Sequence, residues 1–320
     1  MKDKKRSGMT RRVFLRDASI ATLGGSLLLG ARQPVLGWAA EAVATTKAAA
    51  ADAKATSDTT AMSDVVLVRN LDVLDDEGEP RAEVVLEMLD TAVARLTGQK
   101  EALEGWHTLI KPDDVVGIKT NVWSPIGTTE QVEQALRTRV IDTGVAAEDI
   151  GISDRGVLND PVFKRASALI NARPMRTHHW SGVGSLIKNY IMFVTDPYNY
   201  HEEACSRLGE IWTYPVVKDK TRLNVLVMFT PQFHNVGPHG FSPRHVWQYH
   251  GLIAGFDPVA IDTVGVKIIK GMRNEYFGEE RPLSPSPQHI AVADTKYGLG
   301  TSDLDRINLI KIGYDEKSFC

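Results

Sequence analysis

The sequence predicts an α/β protein with a mainly parallel or mixed sheet and helices on both faces. Short runs of continuous apolar residues alternate with longer segments in which apolar residues recur at helical spacing. Strands that are apolar on both faces are typical of parallel sheets covered by helices on two sides. The globular composition extends from residue 65 to residue 312, which is enough chain for a single compact domain, or for one with two lobes.

The order of the predicted elements follows from these two periodicities. The predicted strands are residues 65–68, 115–118, 150–152, 223–229 and 307–312, and the predicted helices are residues 82–96, 128–143, 161–169, 183–194, 257–270 and 289–296. Thr128 with Gln131 forms a capping-box pattern, while Asp257-Pro258 and Ser286-Pro287 each place a capping residue before a proline.

Residues 1–42 have the features of a twin-arginine export signal. Arg11 and Arg12 follow a basic start and precede an apolar run of 14 residues, 18–31, whereas a membrane span needs about 20. We expect the Tat translocon to be a partner during export, the location to be the periplasm or cell exterior, and no stable membrane anchor to be present. The alternative is an uncleaved interfacial N-terminus.

The remainder of the chain divides by composition. Residues 43–63 are rich in alanine and almost lack large apolar side chains, which predicts a disordered linker. Residues 64–314 form the predicted α/β domain, and residues 315–320 a loose C-terminal tail.

Charge and cysteine content exclude several classes of function. Residues 43–320 hold 29 basic and 37 acidic residues, a net charge of about −8, so no nucleic-acid partner is expected. A local basic pocket for a small-molecule anion remains compatible with this charge. Cys205 and Cys320 are too few for a self-contained iron–sulfur cluster, which typically takes four thiolates. They either form one disulfide or, as we favour, remain separate thiols.

Polar side chains follow two predicted strands at their carboxyl ends, where ligands bind in sheets of this class. Lys119 and Asn121 come after the second strand, and Asp154 after the third. Lys119 is a candidate anion ligand or catalytic cation, and Asp154 a candidate substrate ligand or a partner of Lys119. The alternatives are a solvated strand end and a turn aspartate.

Three further polar residues lie within apolar segments. Lys188 and Asn189 fall inside residues 183–194, where an unpaired buried lysine is costly, so Lys188 either extends to solvent or faces a polar pocket. The glycines at 182 and 184 would let the N-terminus of this segment approach an anion. Asp262 lies within an apolar helix and is either a structural partner of a cation or a site carboxylate.

The histidines cluster along the chain, because seven of nine lie between His178 and His250. His178 or His179 is a candidate general acid–base, and only one of these neighbours should enter a site if both lie on a strand. His178, His234 and His239 are candidate metal ligands, with zinc or iron as the candidate cofactor. The alternative is a set of scattered surface and capping histidines. The cofactor is otherwise unknown.

Several of these motifs resemble a known family when taken in order. They are residues 116–121, Thr177-His178, Lys188-Asn189, residues 257–262 with the sequence Asp-Pro-Val-Ala-Ile-Asp, and Tyr297-Gly298-Leu299-Gly300. Together, over residues 65–313, they are similar to the domain of unknown function 362 family. The resemblance implies an α/β domain without a settled activity. Some members carry ferredoxin-like cysteine modules, which this sequence does not contain.

The sequence departs from the family pattern at one place. Members typically have an aspartate and a glycine after the strand that matches residues 223–227, whereas Met228 and Phe229 stand there in this chain, and Gly237-Pro238 is retained. A role that depends on that aspartate therefore does not carry over to this chain.

Three functions are compatible with the sequence. The first is an exported enzyme acting on a small anion, in which Lys119, Lys188 and His178 or His179 are catalytic and Asn121, Asp154, Asn189 and Asp262 contact the substrate. The second is a non-catalytic protein that binds a small anion or metal. The third is an accessory protein of an exported redox enzyme.

Overall fold

The computed structural model describes residues 62–320, in which eight strands form one mixed, mostly parallel sheet in the order β3-β2-β4-β6-β7-β1-β8, with β5 paired to the end of β4. The predicted signal, including Arg11 and Arg12, and nearly all of the predicted linker lie outside the described residues. The strands are β1 (Ser63–Arg69), β2 (Val116–Lys119), β3 (Ile150–Ser153), β4 (Ala168–His178), β5 (Gly182–Gly184), β6 (Thr221–Gln232), β7 (Gly251–Gly255) and β8 (Ile307–Gly313).

Pairing is parallel on both flanks of the sheet and antiparallel around β7. Strands β3, β2, β4 and β6 run parallel to one another, and so do β1 and β8. Strand β7 is antiparallel to both of its neighbours, β6 and β1, and β5 is antiparallel to β4. This confirms the predicted fold class, an α/β domain with a mixed sheet.

Helices cover both faces of the sheet because successive strand residues point to opposite sides. In β1, Val65 and Leu67 enter one core and Val66 and Val68 the other. The second core is closed by α1 (Ala82–Thr97), α2 (Ala102–Leu109) and α3 (Glu130–Asp142), and the first by α4 (Pro161–Arg165), α5 (Leu186–Asn189), α6 (Leu208–Ile211), α7 (Pro258–Phe277) and α8 (Gln288–Thr295). The result is one compact three-layer domain.

Three strands, β4, β5 and β7, are absent from the sequence-based prediction. The predicted helix 161–169 ends at Arg165, and Ala168 begins β4, an eleven-residue strand buried throughout. The prediction missed β4 because it contains Asn171, Arg173 and Arg176, which are atypical of a buried strand. The glycine-bounded strand β7 was missed as well.

The apolar segment predicted as one helix over residues 183–194 has three parts. It begins with β5, continues with the single turn α5, and ends with a 3-10 turn at Tyr190–Phe193. Gly182 has a φ of +74°, a backbone conformation that favours glycine, and it begins the short strand that pairs with β4. The long-helix prediction is therefore wrong.

One predicted helix cap is confirmed and two are wrong. The Asp257 carboxylate accepts hydrogen bonds from the amides of Val259 and Ala260 at 2.8 and 2.9 Å. Thr128 instead accepts from the amide of Asn121, and α3 begins after Thr129 without a side-chain cap. Helix α8 begins after Pro287, also without a side-chain cap.

The predicted loose tail, residues 315–320, is held against the sheet. Arg69 donates to the Glu316 carbonyl at 2.7 Å, and the Tyr249 hydroxyl donates to the Ser318 carbonyl at 2.8 Å. Cys205 and Cys320 are both free thiols, as favoured from the sequence. Within residues 62–320, none of the helices combines the length and apolar character needed to cross a membrane.

Candidate functional site

A cavity of about 520 Å³ lies at the carboxyl edge of β2, β3 and β4. Strand β4 continues past its last pair with β2, Asn171 with Lys119, so its final residues overhang the shorter strands and form one wall. The cavity is lined by Asn121, Trp123, Asp154, Arg155, Arg173, Arg176, His178, Trp180, Lys188, Asn189, Ile191, Met192, Pro197 and His201. Five of the predicted site residues, Asn121, Asp154, His178, Lys188 and Asn189, are in this set.

Lys119 and Asp154 form a buried ion pair behind the cavity. The Lys119 Nζ lies 2.6 Å from the Asp154 Oδ1 and 2.7 Å from the carbonyl oxygen of Thr120, and the other carboxylate oxygen accepts from the amide of Val122 at 3.2 Å. Burial lowers the pKa of Lys119 to about 8, although Asp154 opposes this shift. Lys119 has no exposed surface and does not line the cavity, so the geometry favours pairing with Asp154 over the predicted catalytic role.

A chain of buried amides fixes Asn189. Its Nδ2 donates to the Lys119 carbonyl at 3.1 Å and to the Asn171 Oδ1 at 2.8 Å. Asn171 donates in turn to Asn224 at 3.1 Å, and Asn224 to the Phe256 carbonyl at 3.1 Å. These bonds tie α5 to β2, β4 and β6, so the residues on α5 have defined positions relative to the strand ends.

Arg173 is a buried cation with no carboxylate of the described chain at ion-pair distance, and the sequence analysis did not identify it. It is 3% exposed, and within residues 62–320 it forms neither a salt bridge nor a hydrogen bond. A Cβ on Gly184 would lie 2.6 Å from the Arg173 Nη2, so a larger residue there would displace the guanidinium from its present position. Burial lowers the pKa of Arg173 below its ordinary value, although the carboxylates of Asp154 and Asp262 oppose this shift from a distance.

Arg176 is the second site residue missed from the sequence. It donates to the Asn121 Oδ1 at 2.7 Å and to the Ile126 carbonyl, while its Nε has no partner in the described chain. Arg173 and Arg176 are three residues apart and would face opposite sides of a regular strand. The register of β4 shifts between Pro174 and Arg176, and both side chains reach the cavity.

Lys188 is the third buried cation of the site. It is 3% exposed, so the alternative that it extends to solvent is wrong, and its polar contact is the Cys205 Sγ at 3.8 Å. Burial lowers the pKa of Lys188 to about 8, and Arg173 and Arg176 contribute to this shift while Cys205 opposes it. A lysine in such surroundings is partly neutral near pH 8.

Asp262 positions α5 rather than lining the cavity. Its carboxylate accepts from the Ser185 hydroxyl at 2.7 Å and from the amides of Leu186 and Ile187 at 2.9 and 3.0 Å. Burial raises the pKa of Asp262 to about 6. Because Asp262 already occupies these amides, the prediction that this N-terminus binds an anion is wrong, and Asp262 has no contact with the cavity.

His178 lines the cavity as a neutral imidazole. Its Nδ1 accepts from the amide of Trp180 at 3.2 Å, which places the ring proton on Nε2. Burial, with Lys188 and Arg173 nearby, holds the pKa of His178 far below its usual range. Because β4 ends at His178, the two histidines His178 and His179 do not alternate as strand neighbours, and their rings stack with centroids 4.8 Å apart. Only His178 lines the cavity, as expected for one of the two.

The predicted metal ligands do not come together in the described part of the chain. His178 is at the cavity, whereas the His234 Nδ1 lies 3.0 Å from an Arg273 nitrogen, a poor setting for a cation. The side chain of His239 lies outside what the structure describes. Among the described residues, no group of three or more His, Cys, Asp or Glu side chains is arranged to hold a metal ion. The zinc or iron prediction therefore gains no support.

Aromatic side chains form the mouth of the cavity. Trp123 and Trp180 are 40% and 41% exposed, and the guanidinium of Arg155 lies 4.7 Å from the centre of the Trp123 ring. The ring centroid of His201 lies 4.2 Å from that of Trp180, and burial lowers the pKa of His201 to about 4. Neither tryptophan was singled out from the sequence, because an isolated aromatic carries no motif.

The fold and the cavity define an α/β protein with a cationic pocket at the carboxyl ends of its parallel strands. The model of the family described as a domain of unknown function (DUF362) matches residues 152–267. The resemblance predicted over residues 65–313 is thus confirmed for this central segment, which contains Asp154, Arg173, Lys188 and Asp262. Comparison with curated proteins and with solved structures gave no match.

Proposed function

We propose that this chain is an enzyme that binds a small organic anion in the cavity and moves a proton on it. The observation that carries the proposal is Arg173, a buried guanidinium with no carboxylate of the described chain at ion-pair distance, in a cavity that Lys188 also lines. Leaving charged groups unpaired in the interior is costly, and an anionic ligand would remove that cost. The lining has one carboxylate, Asp154, and Lys119 is already paired with it.

Lys188 and His178 are the candidates for proton transfer. An amine whose pKa is about 8 can both accept and release a proton near neutral pH. The neutral His178, with its proton on Nε2, can donate a hydrogen bond to a ligand without adding charge. Arg173 and Arg176 would hold the anionic group, and Asn121 and Asn189 would orient it.

Replacement of Arg173 tests the anion site. Citrate or phthalate should raise the melting temperature of the wild-type protein. Arg173→Met should weaken the binding of these anions at least about tenfold, because a charge-assisted hydrogen bond contributes about 1.5–3 kcal/mol. Without ligand, Arg173→Met should melt no lower than wild type, because the variant no longer buries an unpaired charge. Thermal shift and titration calorimetry measure both effects.

The matched control is Arg165→Met, which removes an exposed arginine paired with Asp149 at 2.6 Å, away from the cavity lining. It should leave anion binding unchanged. Undiminished binding by Arg173→Met, or the same loss in Arg165→Met, would rule out the proposed site.

A non-catalytic anion-binding protein is the second candidate. The pairing of Asp154 with Lys119 favours it, because the cavity then offers no free carboxylate as a base. The two candidates differ at Lys188. For an anion that the protein converts, Lys188→Met should abolish turnover without lowering the melting temperature, whereas a binding protein shows no turnover of the anions it binds.

We also propose export by the twin-arginine pathway to the periplasm or cell exterior. The support is sequence alone: the Arg11-Arg12 pair, the basic residues before it and the short apolar run after it. Replacing both arginines by lysine should leave the protein in the cytoplasm of its native host, as fractionation and immunoblotting would reveal. Unchanged export of the Lys-Lys variant would exclude this pathway.

A further inference from the structure

The floor and the mouth of the cavity differ in the chemistry of their side chains. The floor consists of cations and amides that are nearly fully buried, namely Arg173, Arg176, Lys188 and Asn189. The mouth has two half-exposed rings, Trp123 and Trp180, and the half-buried Met192 and Pro197 also line the cavity. This order is the reverse of an ordinary surface cleft, in which charged groups face water and apolar groups lie below. A matching ligand enters with its charged end first.

The charges on the floor indicate how much charge the ligand carries. Arg173 and Lys188 form no ion pair with a carboxylate among residues 62–320, and Arg176 is bonded only to neutral oxygens. The three cations lie close together, because Arg173 lowers the pKa of both Arg176 and Lys188, and Arg176 lowers the pKa of Lys188. A single negative charge would leave the floor with an excess of positive charge, whereas a doubly charged group would neutralise most of it.

The mouth indicates what the uncharged part of the ligand is. A cavity of about 520 Å³ is far larger than a phosphate or sulfate ion needs, so the ligand extends from the floor to the tryptophans. Indole rings favour contact with other flat rings, in stacked or edge-to-face arrangements. Arg155, placed over Trp123, adds a cation at the rim that can also contact a ring face.

We propose that the ligand is an aromatic anion with two negative charges at one end, a phosphate monoester or dicarboxylate on a flat ring. The anionic group binds Arg173, Arg176 and Lys188, and the ring lies between Trp123 and Trp180 at the mouth. This inference rests on the proposed anion site and adds the charge and shape of its ligand.

The test compares four probes on the full chain by titration calorimetry and tryptophan fluorescence. Phenyl phosphate and phthalate carry both the ring and the double charge, benzoate carries the ring with one charge, and inorganic phosphate carries the charge alone. We expect phenyl phosphate to bind at least about fivefold more tightly than inorganic phosphate, since an aromatic contact contributes a factor of this size. Benzoate should bind more weakly than phthalate.

Variants at the mouth separate the ring contact from the charge contact. Trp180→Leu and Trp123→Leu should reduce the affinity for phenyl phosphate to that for inorganic phosphate, and leave the latter unchanged. Trp180→Phe retains a ring and should restore most of the affinity. A variant that fails to fold would lose both affinities, so constant binding of inorganic phosphate controls for folding.

The outcomes distinguish this inference from the proposed function. If inorganic phosphate or citrate binds as tightly as phenyl phosphate, in a way that depends on Arg173, the anion site stands and the aromatic ligand is rejected. Benzoate binding as tightly as phthalate would reject the double charge. If none of the probes binds, both the anion site and its aromatic ligand are rejected.

Discussion

At the level of single residues, the cost of burial explains what the site can do. Lys119 and Lys188 are both buried lysines whose pKa is lowered to about 8, yet their surroundings differ. Lys119 has a carboxylate at 2.6 Å, whereas Lys188 has a thiol at 3.8 Å. The paired lysine holds two strand ends together, and the unpaired one is available to a ligand or to a proton.

The lowered pKa of Lys188 predicts a pH dependence of stability. Between pH 8 and 10.5 the unfolded chain keeps the lysine proton while the folded chain has lost it, so stability rises with pH over this window. Below pH 8 the lysine is charged in both states, and the full burial cost applies. Compared with Lys188→Met, the wild type should gain up to about 3 kcal/mol from pH 7.5 to 10.5.

Urea unfolding of both proteins across this range measures that difference. Lys119 titrates in the same window but is present in both proteins, so subtraction removes its contribution. Parallel stability curves for the wild type and Lys188→Met would mean that Lys188 keeps its proton in the folded state.

The residues that could be predicted from sequence share one property. Asn121, Asp154, Lys188 and Asn189 follow an apolar strand or lie in an apolar segment, where a polar side chain stands out. Arg173 and Arg176 could not be found in this way, because two arginines close to Asn171 and Pro174 made their segment resemble a loop. Their common orientation depends on the register shift in β4, which no local pattern encodes.

At the level of elements, α5 is the part of the fold on which the site depends most. It is a single turn, Leu186–Asn189, too short to be stable alone, and it carries both Lys188 and Asn189. Asp262 from α7 holds its first amides, and the asparagine chain holds its end. The prediction of a long helix is wrong here because tertiary hydrogen bonds, rather than apolar periodicity, determine the backbone conformation of this segment.

Replacement of Asp262 should therefore affect both stability and binding. Asp262→Asn replaces one carboxylate oxygen by an NH2 group, which would then face the backbone N–H groups that donate to it now. We expect this substitution to lower the free energy of unfolding by about 3 kcal/mol. Anion affinity should also fall, because Lys188 loses its defined position. Hydrogen exchange at Leu186 and Ile187 should accelerate.

Ser185→Ala is the graded comparison for Asp262→Asn. It removes one of three donors to the carboxylate and should cost about 1 kcal/mol while exchange at the two amides stays slow. An equal effect of the two substitutions would contradict the view that the amide bonds position α5.

At the level of the whole molecule, the fold class was predictable and the topology was not. Alternating apolar strands and amphipathic helices indicate an α/β sheet, and five of the eight strands in the described chain were located from sequence. The strand order, with antiparallel β7 placed between β6 and β1, depends on pairing between distant segments. The docking of residues 315–320 through Arg69 and Tyr249 is likewise a long-range effect.

The position of β1 in the sheet affects when the chain can fold during its synthesis. Val65 pairs with Gly255 on one side and with Leu309 on the other, so both neighbours of β1 are made long after it. Pairing across such separations is slow, because the intervening chain must be ordered first. The ribosome would therefore synthesise nearly the entire polypeptide before β1 can pair with its neighbouring strands. Until then, the apolar side chains on one face of β1 can pack only against α1, which follows it directly in the chain.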